Sequence, residues 1–581
     1  MKMLLPTTLI VALLFPFISG CSSGEKIFKK NGPAPADLIL HNGSVYTMDK
    51  DLSRVDAFAV KDGKIIATGS YNELRMLQGE GTRLVDAGGR MVMPGIIDAH
   101  LHPVWGAMQQ VFYCTFPFSA SPGDIQKRVR DCVDNAPEET WIKGGQWTSD
   151  FFKLYEVQSP RKFLDKVSAD KAVILRDDSG HNMWVNSKAL ALFGIDEKTP
   201  NPPGVIYERE PGSNIPNGLL LEAYKYLNEL VPKGSEEKYR KAAAYAVETA
   251  NSFGITGVKD ASASEEEVNA IYALDKSNAL SLRYAASLFI TPDKMPLTEE
   301  IVEYKRLRES YRSRNINTNY VKLFLDGVPT ASRTAAMIEP YAAQEGDKGA
   351  VHGPIHIEPE QLIAKLIELD KAGFEVKIHT AGDLAVRVAL DAIDRVREAN
   401  GDRGGWYELA HAGYVAEEDI PRFAELRVAA DFSPYIWFPS PITDSVVSAV
   451  GHPRGEHYWP TRDYLDKGVR LITGSDWPSA VPDMNPWMGM ETLITREDPA
   501  DSSLGTFWVE QSISLEEVLW IYTQGNASAL GISDVAGSIE AGKSADFIIL
   551  DHNLFEIDAG AISDTQVQQT WFEGKKVYTS E

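Results

Sequence analysis

Between residues 236 and 473 the spacing of hydrophobic positions switches back and forth between two periods. Apolar residues at helical spacing occupy 236–253, 265–276, 298–311, 358–371, 384–399, 417–426 and 463–467. Each such stretch leads into a short, nearly continuous apolar run, at 255–259, 282–290, 320–325, 374–379, 406–411, 427–432 and 469–473. Gly254, Gly373 and Gly468 stand where helices should stop. A further run at 93–99, punctuated by Pro94 and Gly95, precedes them all. Eight strands with intervening helices predict an α/β fold, a parallel (β/α)8 TIM barrel.

The pattern differs at the two ends. Residues 37–92 carry short alternating runs joined by Asn42-Gly43 and Asp62-Gly63, which are strong hairpin turns. Those strands are too few to stand alone, and similar runs return at 545–551, 567–572 and 576–578. The two ends therefore predict one small β-sandwich, 37–92 with 535–581, into which the barrel of 93–534 is inserted. Residues 104–235 fit no simple repeat and are rich in Trp, Pro and Gly. They read as a cap inserted after the first barrel strand.

The first twenty residues do not read as part of the fold. Lys2 followed by an apolar stretch over 3–18 is the core of a signal peptide, too short and too Pro-interrupted to span a membrane comfortably. Ile18-Ser19-Gly20-Cys21 resembles the bacterial lipobox, which implies an acylated Cys21. Residues 21–36 would then tether an exported protein to a bacterial membrane, facing the periplasm or the exterior. Export permits a disulfide between Cys114 and Cys132, the other two cysteines. Three cysteines exclude a Cys-rich zinc scaffold. A net charge of -24 argues against nucleic acid as a partner, which would demand a basic patch. A homo-oligomer is left open.

Candidate chemistry sits where a barrel would gather it, at the C-terminal ends of strands. His100 and His102 close the first run, two apart and so on one face of a strand. Lys322 lies in the fourth run, His379 closes the fifth and His411 the sixth. Asp476 follows the eighth in Thr473-Gly-Ser-Asp-Trp-Pro478. A single His-x-His is weak evidence for a metal; imidazoles and a carboxylate converging from four strands are much stronger.

Pro94-Gly-Ile-Ile-Asp-Ala-His-Leu-His102, Ile378-His-Thr-Ala-Gly-Asp383, Leu409-Ala-His-Ala-Gly413 and Gly474-Ser-Asp-Trp-Pro478 resemble motifs of the amidohydrolase superfamily. Asp178-Ser-Gly-His-Asn-Met-Trp-Val-Asn-Ser-Lys-Ala189, Val321-Lys-Leu-Phe-Leu-Asp-Gly327 and Ser332-Arg-Thr-Ala-Ala336 are similar to its YtcJ-like (amidohydrolase 3) branch, which includes N-substituted formamide deformylases. Ile378-His-Thr-Ala departs from the commoner form but keeps the histidine.

The resemblance implies that His100 and His102 bind one metal and His379 and His411 a second. Asp476 would belong to the first site as ligand and proton carrier. Lys322 would bridge the two as a carboxylated lysine, because an ammonium cannot ligate a cation; a plain ion pair with Asp326 is the alternative. Zinc is the first choice of metal, with Mn or Fe open. The implied reaction is attack of a metal-activated hydroxide on an amide, cyclic amide or N-formyl C–N bond of a small molecule. Two alternatives stand beside it: a mononuclear deaminase of an amino-heterocycle, and a non-catalytic surface-binding lipoprotein. His181 and Arg333 are candidate substrate contacts, and Trp477, with Trp105, Trp184 and Trp437, a candidate apolar wall.

Overall fold

The computed structural model describes residues 34–148, 150–290, 295–344, 347–433 and 438–580, without the side chain of Lys225. The leader, Cys21 and Trp437 lie outside the described residues. Eight strands form one all-parallel sheet. They are β1 (Ile96–Leu101), β2 (Ile255–Ala263), β3 (Arg283–Leu288), β4 (Ile316–Phe324), β5 (Glu375–Thr380), β6 (Tyr407–His411), β7 (Val428–Phe432) and β8 (Arg470–Thr473), side by side in sequence order.

β8 and β1 are the two ends of that order, and side chains close the seam between them. Asn526 donates Nδ2 to Ile97 O (2.5 Å) and Thr473 O (2.8 Å), and its Oδ1 accepts from Thr473 N (3.0 Å). Higher up, Asp98 accepts from His100 N and Ser475 N, both at 3.0 Å. Gly474 is required there: a Cβ would fall 2.2 Å from Asp98 Oδ1 and 2.3 Å from His100 N.

Each of the eight predicted runs falls on one of the eight strands, but β2 runs on to Ala263, β4 already starts at Ile316, and the first run starts too early. Met93 and Pro94 do not begin β1; they end a strand, Met91–Pro94, that pairs with Phe547–Leu550 at the other end of the chain. Gly95 is the break, where a Cβ would sit 2.1 Å from Thr256 Oγ1. Outward residues such as Val321 and Leu323 pack under helices Glu236–Ser252, Glu265–Lys276, Leu297–Tyr311, Pro359–Lys371 and Asp383–Asn400. Ser235 and Ser264 cap the first two of these, accepting from Lys238 N and Glu267 N. Inward residues include charges. Lys259 of β2 reaches Glu408 of β6 at 2.7 Å, a contact that must cross the barrel interior.

Two further sheets carry the terminal strands, the first built from the N-terminal segment and the second from both ends of the chain. One holds Leu38–His41, Ala57–Lys61, Lys64–Gly69 and Arg83–Asp86; the other joins Ser44–Tyr46, Arg54–Val55 and Met91–Pro94 to Phe547–Leu550, Val567–Phe572 and Lys575–Thr579. Leu40, Phe58 and Val60 of the first pack against Val45, Phe547 and Trp571 of the second in one apolar core. Between β1 and β2 a six-stranded mixed sheet forms over the barrel mouth, with neighbouring strands Cys114–Thr115, Trp141–Trp147 and Ala172–Asp177. Cys114 and Cys132 are joined by a disulfide that ties this sheet to helix Pro122–Asn135. The structure thus makes the pair that the sequence left open.

Candidate active site

The seam between β1 and β8 builds the first half of the site. His102 N donates to Trp477 O (2.7 Å) and Asp476 N to His100 O (2.6 Å), so the Asp476 turn is laced to the end of β1. Asp476 takes a left-handed backbone, φ +58°, a conformation Asp tolerates better than most residues. Its Oδ1 lies 3.4 Å from Nε2 of both His100 and His102. On the far side of the His100 ring, Nδ1 is 2.7 Å from Asp431 Oδ2 of β7. A carboxylate there holds the proton on Nδ1 and leaves the Nε2 lone pair free. That Nε2 is buried and, among the described residues, has no hydrogen-bond partner, an orphaned acceptor of the kind a cation would satisfy.

β5 and β6 build the second half. His379 Nε2 lies 2.9 Å from Gly327 O; a carbonyl only accepts, so Nε2 carries the proton and Nδ1 is the free base. The His379 and His411 rings are 4.5 Å apart between centroids, and His411 is 5.1 Å from His100. His411 is also left-handed, φ +74°, held by the Trp459 Nε1 bond to its carbonyl (2.7 Å). Ligand atoms of His100, His411 and Asp476 all lie within 4.8 Å of one another. Burial pushes His100, His379 and His411 well below the ordinary imidazole range, helped by the cations Lys377 and Lys322 at His100 and by Lys322 at the other two. Neutral imidazoles are what a metal needs. Asp476 stays ionised: burial raises it, but His100, His102 and Lys322 together hold it below the usual carboxylate range.

Lys322 of β4 is buried in the same site, its Nζ 4.9 Å from the centre of the Phe324 ring. Burial and neighbouring Lys377 lower it to about 7. It is not paired with Asp326, whose carboxylate accepts instead from the backbone N–H of Ala336, Ala381 and Gly382 at 2.8–2.9 Å. The ion-pair alternative for Lys322 is therefore corrected: three backbone donors already occupy its expected partner.

All six of these residues line one cavity of about 1020 Å³ between barrel rim and cap, and His181 and Trp105 line it too. His181 Nδ1 is 3.0 Å from Glu222 Oε2, and its ring lies 5.0 Å from His379. Two substrate-contact expectations are corrected. Arg333 is committed to Asp347 through two bonds of 2.8 and 2.7 Å and does not line the cavity. Trp477 faces away from it: the indole packs against Gly106, where a Cβ would come within 2.6 Å of the ring, and Nε1 donates to Pro482 O at 3.2 Å. Trp184 is likewise spent inside the cap, packed on Trp147, Phe151, Phe152 and Phe163.

Several residues that hold the site were missed from sequence. Asp431 bonds both His100 and Lys377, and Lys377 also reaches Glu408 Oε2 (3.1 Å) and Ala99 O (3.1 Å). The available signal was a lone charge inside an otherwise apolar strand, as in Val376-Lys377-Ile378, Tyr407-Glu408-Leu409 and Ala430-Asp431-Phe432. Burying such charges is expensive unless they are paired. Glu222, beneath His181, had no comparable signature.

A parallel barrel with imidazoles and a carboxylate gathered at its C-terminal rim defines a metal-dependent hydrolase as a class. Residues 83–578 match the model of the amidohydrolase family. The chain belongs to that family of metal-dependent hydrolases acting on C–N bonds. It is 31% identical to Protein LONG AFTER FAR-RED 3 of Arabidopsis thaliana, over 94% of this chain and 92% of the relative. It is 27% identical to the N-substituted formamide deformylase of Arthrobacter pascens, over 93% and 97% respectively, within the branch its motifs resemble. Among solved structures, an uncharacterized metal-dependent hydrolase from Pyrococcus horikoshii superposes with TM-score 0.69 at 25% identity, covering 90% of this chain and 99% of that one.

Proposed function

We propose that this cavity hydrolyses an amide, cyclic amide or N-formyl bond of a small molecule, with two divalent cations, zinc by preference, held by His100, His102, Lys322, His379, His411 and Asp476. The observation that carries this reading is the pair of locked histidines. Asp431 claims Nδ1 of His100 and Gly327 O claims Nε2 of His379, so each ring keeps one basic nitrogen for the shared cavity. A cation bound there supplies Lewis acidity, lowering the pKa of a water and polarising the scissile carbonyl. Asp476, ionised and 3.4 Å from two imidazoles, takes the proton of the attacking water and returns it to the departing nitrogen. His181, braced by Glu222, offers Nε2 to the substrate. Lys322 at about 7 populates its free amine near neutrality, the form that adds carbon dioxide to become an anionic carbamate ligand. The similarity to an N-substituted formamide deformylase supports an N-formyl group among the acyl groups accepted.

The test combines metal analysis with a substrate panel of formamides, amides and lactams for wild type and Asp476→Asn. The variant is expected to keep its metal and lose at least roughly a hundredfold in rate, the usual scale of acid–base effects. An unchanged rate would remove Asp476 from proton transfer. A second reading, a mononuclear deaminase, is favoured by the compact set His100, His411 and Asp476; one metal per chain and ammonia release from amino-heterocycles would select it. We also propose export and acylation at Cys21, to which the Cys114–Cys132 disulfide lends support. Labelling with a fatty acid that persists in Cys21→Ser would refute the anchor.

A further inference from the structure

The charges around the cavity are not equally committed. On the barrel side its acids are largely answered: Glu265 and Glu303 pair with Arg306 at 2.8 and 2.6 Å, and Glu266 pairs with Lys233. Glu267 is engaged with Ser264 (2.7 Å), and burial pushes it up to about 8. The cap wall is different. Arg176 and Lys143 stand on neighbouring parallel strands, where Ile174 pairs with Lys143 and Arg176 with Gly145. Period-two alternation places Lys143, Ile174 and Arg176 on one face, and all three line the cavity. The opposite face, with Val173 and Leu175, is sealed in the apolar core beneath helix Pro122–Asn135.

Among the described residues, neither cation has a carboxylate within ion-pair distance. Arg176 donates Nη1 to Gly180 O (2.9 Å) and Nη2 to Asn228 Oδ1. A guanidinium has five N–H donors, so roughly three remain uncommitted. Lys143 donates to Pro232 O and lies over the Tyr113 ring. Burial lowers both, and Arg176, at about 10, still carries its charge at neutral pH, a charge costly to leave without a counter-ion.

We propose that Arg176, seconded by Lys143, binds a carboxylate on the amine portion of the substrate, so that the substrate class is an N-acyl or N-formyl amino acid rather than a neutral amide. This rests on the C–N hydrolase reading above. A forked guanidinium with one nearby ammonium suits a planar monoanion; a phosphonate is the competing anion, and binding of phosphonate analogues separates the two.

The experiment pairs a set of N-formyl and N-acetyl amino acids with their decarboxylated analogues. Wild type should favour the acids by roughly 10- to 150-fold in kcat/KM, the scale of a hydrogen bond to a charged group. Arg176→Met and Lys143→Met should lose more on the acids than on the neutral analogues, chiefly through KM, and Arg176→Lys should recover part. Equilibrium binding of the same pairs to the Asp476→Asn enzyme, with and without Arg176→Met, reads recognition apart from turnover. Acid-selective binding that Arg176→Met abolishes, with no hydrolysis of any compound, would sustain this inference while sinking the C–N hydrolase reading. Binding without preference for the acids, no binding at all, equal losses on both members of each pair, or tighter binding of phosphonate analogues would overturn it.

Discussion

Asp431→Asn separates two duties of one buried carboxylate. Its Oδ2 serves as counter-ion to Lys377 and as acceptor for His100 Nδ1 at 2.7 Å, and the residue is fully buried. Asparagine preserves shape and removes charge. Lys377 would claim the remaining amide oxygen, leaving His100 without the acceptor that fixes its tautomer. Removing one member of a buried ion pair costs about 3–5 kcal/mol. Lys377 keeps Glu408 at 3.1 Å, so a stability loss near the lower figure, about 3 kcal/mol, is expected. Loss of an outer partner of a ligating histidine typically weakens metal binding about 10–100-fold, roughly 1.4–2.7 kcal/mol.

Chelator competition followed by metal analysis measures the second quantity, and denaturant unfolding of the metal-free protein measures the first. Glu408→Gln is the control, since Glu408 serves Lys377 and Lys259 (2.7 Å) but makes no bond to His100. It should destabilise comparably and leave metal affinity intact. If Asp431→Asn lowers stability but binds metal as wild type does, the carboxylate is only a counter-ion, and the tautomer argument for His100 falls.

Glu267 offers a pH signature. Burial raises it from an unfolded value of 4.5 to about 8, so between those values the folded chain holds a proton that the unfolded chain has released. Stability therefore falls as pH rises through that window. Glu267→Gln keeps the capping box with Ser264 and should gain on wild type from about pH 4.5, reaching the full difference above about 8; parallel stability–pH curves would refute it. The Cys114–Cys132 bond closes a separation of 18 residues, for which loop entropy suggests about 3 kcal/mol. Cys132→Ser should lose an amount of that order in denaturant unfolding, and no loss would mean that the cap's packing alone holds the strand.

How much of this was legible in the sequence follows from the range of each interaction. Period and punctuation are local, so β1 to β8 and most of their helices could be placed from residue spacing alone. The convergence of the candidate ligands was legible for the same reason: barrel topology carries strand ends to one rim, and His100, His379, His411 and Asp476 stand at or just after them. Three things were not legible. The start of β1 was misplaced because Met93 and Pro94 are as apolar as Ile96, and only their pairing with Phe547–Leu550 assigns them to another sheet. Arg333 and Trp477 look like substrate contacts until Asp347 and Gly106 are found beside them.

The third is the support of the site itself. Asp431 meets His100 across 331 positions of sequence, and Glu408 meets Lys259 across 149. The sequence by itself determined the barrel and the residues that reach its rim, because those depend on periodicity along one strand at a time. Only the tertiary structure decided which nitrogen of His100 and of His379 is free, that Lys322 has no ion-pair partner among the described residues, and which cations of the cap are left facing the cavity. Each of those depends on a partner delivered by a different strand, and charge pairing across a barrel leaves no period in the chain.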